Sequence, residues 1–316
     1  MTSTISIVVP VHNEEAVLET LYERICQTMA QTTLNWELIL VNDGSRDQSA
    51  ELIAQLHKVD GRVKGISLSR NFLFQIAVTA GLEHAKGDAV VLIDADLQDP
   101  PELIIKMIEK WEAGYDVIYG VRESREGETF FKKITAKLFY KLIDKITRIN
   151  IPANTGDFRL MDRRVVDALI QMPERNRFLR GMVSWVGYKQ IGIPYRRNAR
   201  FAGETKFTVG KMMRFAMDAI TGFSYFPLQL ATYLGFLMAP LSILAIIVVV
   251  LLRLFGPATP LLGQATTLVA VLFLGSVQLI SLGIIGEYLG RIYDEVKQRP
   301  LYLVDKKWGF ESERIS

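Results

Sequence analysis

The sequence is poor in the residues that build disulfides, metal cages and nucleotide-binding loops. Its 316 residues include one cysteine, Cys26, and three histidines, His12, His57 and His84. A single cysteine closes no internal disulfide, and without a Cys/His cluster no structural zinc site forms. HExxH, GxGxxG and GxxxxGK[ST] are all missing, which removes the zincin helix, the dinucleotide fingerprint and the P-loop. Charge of one sign is scarce too. The 37 Lys+Arg against 34 Asp+Glu leave +3, too little to mark a nucleic-acid binder. No basic region precedes Ile5–Pro10, and Asn13-Glu14-Glu15 follows too early for a signal peptide. The soluble part is therefore expected to start and stay in the cytoplasm.

Apolar residues make up 49% of the chain, which excludes disorder as its main state. Their excess is concentrated near the C-terminus. Residues 1–227 read as a water-soluble domain. In it, short β-branched runs alternate with helical spacing: strands at Ile5–Val9, Trp36–Val41, Val63–Leu68, Ala89–Ile93 and Tyr115–Gly120, and helices at Glu14–Ala30, Ser49–His57 and Gln75–Ala85. Pro100 and Pro101 open a further helix. This alternation predicts an α/β fold with a mostly parallel, doubly wound sheet. Ligands of such sheets bind beyond the carboxyl ends of the strands, where this chain places His12–Glu15, Asn42–Ser45, Ser69–Asn71 and Asp94–Asp99.

Residues 130–149 carry Phe131, Ile134, Leu138, Leu142, Ile146 and Ile149 on one helical face beside a stripe of Lys133, Lys137, Lys141, Lys145 and Arg148. That is the pattern of a helix lying in a membrane interface, and 208–222 is assigned the same role. Residues 228–252 and 264–286 contain no charge, and each exceeds the roughly 20 residues needed to cross a bilayer. The expected organisation is a domain at 1–227, two spans within 228–290 and a tail at 291–316. Lys206, Lys211 and Arg214 precede the spans; Arg291, Lys297, Arg299, Lys306 and Lys307 follow them; the loop holds Arg253 alone. The positive-inside rule then puts the domain and both termini in the cytoplasm of a bacterial-type plasma membrane. The strand-like run Pro300–Val304 is expected to pair with a neighbour's sheet, giving a homo-oligomer, taken as a tetramer.

The sharpest motif is Asp94-Ala95-Asp96-Leu97-Gln98-Asp99-Pro100-Pro101-Glu102. Carboxylates crowded at a strand end repel unless a cation lies between them. Oxygen ligands suit magnesium or manganese, completed by a substrate diphosphate. Asp99 also reads as an N-cap of the next helix, and Asp47 as the cap of the helix at Ser49. Asn42-Asp43-Gly44-Ser45 alone is a turn, but beside Pro10–Glu15 it makes a second acidic edge suited to a base and a ribose.

Taken in order, Val9-Pro10-Val11-His12-Asn13-Glu14-Glu15, Asn42-Asp43-Gly44-Ser45, the Asp94–Glu102 motif, Asp157-Phe158-Arg159-Leu160 and Gly203-Glu204-Thr205-Lys206-Phe207 resemble family 2 glycosyltransferases of the GT-A fold. Within these, the chain is most similar to polyprenyl-phosphate glycosyltransferases of the bactoprenol glucosyltransferase branch, over nearly its whole length. The resemblance implies that Pro10, Val11, Glu15 and Asp43 line a nucleotide pocket. It implies that Asp94, Asp96 and Gln98 surround the metal and the donor diphosphate, with Asp94 also a nucleotide-sugar contact and Asp96 also a catalytic residue. Asp157 would stand near the sugar and acceptor, and Arg122, Lys133, Arg200 and Lys206 would hold phosphates. The implied reaction passes a sugar, with UDP-glucose as first choice and GDP-mannose or a UDP-modified pentose as alternatives, to a membrane polyprenyl phosphate. Leu73-Phe74 departs from the family, where a glycine and a polar residue usually stand.

Two rival readings are weaker. A non-enzymatic transport partner would carry ionisable groups in its spans, which hold only Gln229, Gln264, Gln278 and hydroxyls. A processive polysaccharide synthase would need more spans and a QxxRW-type motif, absent here.

Overall fold

The computed structural model describes residues 3–123, 152, 155–197, 221–222, 224–255 and 262–310. The expected interfacial helix at 130–149, most of that at 208–222, and Lys133, Arg200 and Lys206 lie outside the described residues.

The N-terminal half alternates as its sequence predicts. It runs β1 (Thr4–Val11), α1 (Leu18–Met29), β2 (Asn35–Asn42), α2 (Ser49–Val59), β3 (Val63–Leu68), α3 (Phe74–His84), β4 (Ala89–Leu92), α4 (Leu103–Glu112) and β5 (Val117–Arg122). Helix α1 buries Leu18, Leu21, Ile25 and Met29, the stripe its spacing defined. Each such side chain contributes about 1.5–3 kcal/mol by leaving water. Strands β1, β2 and β4 are almost wholly buried, as parallel strands covered on both faces are.

The chain continues through β6 (Thr155–Asp162), α5 (Arg163–Gln171), α6 (Leu179–Trp185) and β7 (Gln190–Tyr195). One eight-stranded sheet results, ordered β7-β5-β6-β4-β1-β2-β3-β8. Strands β1–β5 and β7 run in one direction; β6 and β8 oppose them. From β1 the chain winds outward to β2 and β3, then returns to place β4 on the other side of β1. That reversal opens a crevice past the carboxyl ends of β1 and β4. Pairing of β1 with β4 stops at Val8 and Leu92, while β1 stays paired with β2 as far as Val11 and Asn42. Val8 O faces β4, where it accepts from Ile93 N. By alternation Pro10 turns its nitrogen, which has no hydrogen to donate, to that same unpaired side.

Two long apolar helices follow, α7 (Phe226–Phe255) and α8 (Leu262–Val296). Their candidate spans, Phe226–Val248 and Val269–Val296, are long and apolar enough to cross a membrane, their apolar windows bury nothing within the protein, and charge enters the second only from Glu287 onward. The Tyr288 hydroxyl donates to Ser224 O, tying α8 to the residues that open α7. These helices form a compact unit of their own, while the chain from Arg299 rejoins the unit built on the sheet.

The C-terminal segment differs from its expectation. Its strand, β8, is Val304–Trp308 rather than Pro300–Val304, and it pairs antiparallel with β3 of the same chain. Gly65 makes room for it, because a Cβ there would lie 2.6 Å from the Trp308 ring. Ser69 N donates to Leu303 O, and the Phe310 ring meets His84 edge-on. The segment Val304–Trp308 thus completes the sheet of its own chain.

Candidate functional site

The turn after β4 carries the acidic motif. Leu97, at φ 58°, bends it back so that Asp96 Oδ1 accepts from Gln98 N at 3.1 Å. The β4–β6 register pairs Leu92 with Arg159, and two residues further it sets Asp94 opposite Asp157. Burial together with the charges of Asp157, Asp99 and Asp96 pushes the Asp94 carboxyl up to about 7. Asp94 Oδ1 is buried without a hydrogen-bond partner.

Asp99 does not cap a helix. It is fully buried and accepts from the Tyr195 hydroxyl and from Arg197 Nε, 3.3 Å away. Arg197 Nη2 also lies 3.8 Å from Asp96 Oδ2. Helix α4 starts at Leu103 after Glu102, with no side-chain cap. Asp47 does what its position suggests, accepting from Ser49 N at the start of α2 and also from Glu15 N.

Asp157 sits on β6 and is 7% exposed. Arg180 forks onto it, Nε to Oδ1 at 2.9 Å and Nη2 to Oδ2 at 2.7 Å. Arg159 stands 3.8 Å behind. Burial alone would raise the Asp157 carboxyl, but Arg180, then Arg159 and Arg122, outweigh it and hold the group below the usual carboxylate range. Arg122 ends β5 and lies over Gly156, where a Cβ would come within 2.4 Å of its guanidinium. Its Nε points to the Tyr195 hydroxyl at 3.4 Å. Four guanidinium groups, Arg122, Arg159, Arg180 and Arg197, thus stand against the carboxylates of Asp94, Asp96, Asp99 and Asp157.

The second edge forms at the ends of β1 and β2. Pro10, Val11 and Asp43 are buried there. Asp43 Oδ1 accepts from Phe72 N at 2.6 Å, while burial pushes the carboxyl up. Gly44 adopts φ +60°, and a Cβ on it would strike the backbone of Arg70 and Asn71. His12 Nδ1 lies 2.8 Å from Asp43 O, and Asn71 Nδ2 lies 3.1 Å from His12 Nε2. Glu15 is exposed, and its Oε2 accepts from Gln48 N at 2.8 Å, so it serves the start of α2.

The donor set fits a hard divalent cation. Asp94 and Asp96 offer oxygens only, Asp94 Oδ1 has no partner, and the surrounding negative charge is what a cation relieves. Among the described residues no three His, Cys, Asp or Glu side chains form a closed cage. The ion would therefore be shared with a ligand.

The sequence reading missed Arg180, Arg197 and Tyr195. Arg180 left one signal: it is the only charge in the apolar run Phe178–Val183.

An acidic edge at the reversal point of a mixed α/β sheet is a GT-A type architecture, here followed in the chain by two long apolar helices. The chain belongs to Glycosyl transferase family 2, whose model matches residues 6–170, and the GtrB C-terminal hairpin matches 226–292. It is 53% identical to the uncharacterized glycosyltransferase YkcC of Bacillus subtilis, over 98% of this chain and 96% of that protein. It is 44% identical to the SfII prophage-derived bactoprenol glucosyl transferase of Shigella flexneri, over 96% and 97% of the two chains. A solved structure of glucosyl-3-phosphoglycerate synthase from Mycobacterium tuberculosis aligns with 69% of this chain and 78% of that one, at 16% identity and a TM-score of 0.48.

Proposed function

We propose that the protein transfers a sugar, glucose from UDP-glucose as the first choice, to the phosphate of a membrane polyprenyl phosphate such as undecaprenyl phosphate. The observation that carries this reading is the 44% identity to a protein named bactoprenol glucosyl transferase, which extends over 96% of the chain, hairpin included. A phosphate oxygen of the acceptor attacks the anomeric carbon. The bond from that carbon to the donor diphosphate breaks, its electron pair stays with the diphosphate, and nucleoside diphosphate leaves with the configuration inverted.

In this reading Pro10, Val11, Asp43 and Glu15 receive the nucleotide. Asp94, Asp96 and Gln98 hold magnesium or manganese, which would neutralise charge developing on the leaving diphosphate. Arg122 offers the acceptor phosphate a cation, as do Lys133, Arg200 and Lys206. Asp157 orients groups at the reacting centre as an anion. The acceptor monoester has a second pKa of about 6, and neighbouring guanidinium groups lower it. Most of it is therefore dianionic at neutral pH and needs no base. The hairpin keeps the domain beside an acceptor confined to the bilayer, on the cytoplasmic side.

The test is transfer of radiolabel from UDP-glucose, GDP-mannose or a UDP-pentose to undecaprenyl phosphate by the purified full chain, read by thin-layer chromatography. Labelled lipid with UDP-glucose supports the reading. Labelled lipid with another donor alone replaces the sugar, and none with any donor rejects the reaction.

A further inference from the structure

The two edges of the site are joined by a short physical link. At one end Phe72 N donates to Asp43 Oδ1. Three residues on, Gln75 Oε1 accepts from Leu179 N at 2.9 Å, at the first residue of α6. The next residue, Arg180, forks onto Asp157.

Helix α6 has only 7 residues, and Phe178 before it provides no side-chain cap. So short a helix has little stability of its own, and its leading N–H groups need partners from elsewhere. Gln75 supplies one of them across 104 positions of sequence.

The connection between Phe72 and Gln75 is stiff. Only Leu73 and Phe74 intervene, and Leu73 is held at φ 73°, ψ 157°, a region that is almost exclusively glycine's. Its N–H donates to Asn71 Oδ1 at 2.9 Å, and its carbonyl accepts from Ile76 N and Ala77 N, each at 3.1 Å. Bonds on both sides of the strained residue leave it few other conformations.

We propose that Gln75 and Arg180 are positioning residues through which order at the Asp43 edge fixes the orientation of Asp157, so that a filled nucleotide pocket sets the carboxylate at the reacting centre. This rests on the reading of Asp43 as a nucleotide contact.

The experiment uses the full chain in nanodiscs, with UDP and Mn2+ as the probe and hydrogen exchange as the readout. In the wild type, UDP slows exchange at residues 42–46 and 70–73 and also at 178–183. Gln75→Ala keeps the first protection and loses the second, and Gln75→Glu, which retains the acceptor oxygen, restores it. In the transfer assay Gln75→Ala and Arg180→Ala lower kcat by about 100-fold, the scale of a 1 Å misplacement, with the donor KM within about 2-fold. Protection at 178–183 that is absent in the wild type, or unchanged in Gln75→Ala, overturns the link. UDP protection at neither edge overturns both the link and the nucleotide reading. A wild type that shows the linked protection without transferring sugar refutes the reaction and leaves the link standing.

Discussion

Asp157 shares both of its carboxylate oxygens with Arg180, at 2.9 and 2.7 Å. A carboxylate clamped in this way is a poor proton acceptor, since protonation would have to break a charge-assisted fork. Asp157→Asn is therefore expected to lose transfer by about 100-fold or more, with a deficit that is nearly constant from about pH 6 to 8.5. Rate profiles of the wild type and the variant check this. Recovery of the variant as pH rises and the acceptor ionises would restore Asp157 as the base.

Asp94, pushed up to about 7, gives metal binding a pH signature. Its folded pKa exceeds its unfolded value, so the metal-free protein loses stability as pH rises toward 7, where the unfolded state binds fewer protons. A cation favours the ionised form. Mn2+ should therefore raise Tm more at pH 8 than at pH 6, as scanning calorimetry would show. EDTA should abolish transfer, and Asp96→Asn should fold and insert yet lose nearly all activity. Full activity in EDTA would exclude a metal role.

Leu73 occupies a glycine conformation while 73% exposed. Such strain costs about 1–3 kcal/mol, against about 0.5–1 kcal/mol for the greater freedom glycine has when unfolded. Leu73→Gly should therefore gain about 1 kcal/mol, a Tm rise of about 2–4 °C, while Leu73→Ala gains nothing. Thermal melts of the three proteins decide.

Strand β8 makes the C-terminus part of the fold. Deleting residues 300–316 uncovers the β3 edge and should lower Tm and promote aggregation. Trp308→Ala should do the same more mildly. Unchanged melting after the deletion would contradict the pairing.

Topology is read by labelling in a Cys26→Ser background. A cysteine at Pro257, between the two spans in sequence, should react from the outside, and one at Ser312 should not. The reverse result would move the active site across the membrane.

The periodic segments were legible because burial wrote them. Leu18, Leu21, Ile25 and Met29 could only be one helix face. Strands β6 and β7 were not read, for physical reasons. Strand β6 carries three charges, Asp157 and Asp162 satisfied by Arg180 and Trp111 elsewhere in the chain and Arg159 by the carbonyls of its own strand, so only Phe158, Leu160 and Met161 are left to mark it as apolar. Strand β7 is an edge strand with Gly192 and Pro194, both poor strand formers. At the site, the acidic turn announced itself as adjacent residues. Arg180 did not, because its value lies in Asp157, 23 positions away. Leu73, where the resemblance led us to expect a glycine, has a backbone conformation that glycine favours.

The position of β8 also bears on how the protein is made. The strand that closes the edge of the sheet is synthesised after both membrane helices, yet pairs with β3, made long before them. In the two-span topology proposed above, the polypeptide crosses the bilayer and returns before its soluble domain can be finished. A nascent chain whose second helix stayed outside the lipid, or whose first failed to turn back, would strand Val304–Trp308 away from its partner and leave β3 bare to proteases and chaperones. Completion of the sheet is then a built-in check on insertion, because only a correctly threaded hairpin delivers the final strand to the side where the rest of the domain is waiting.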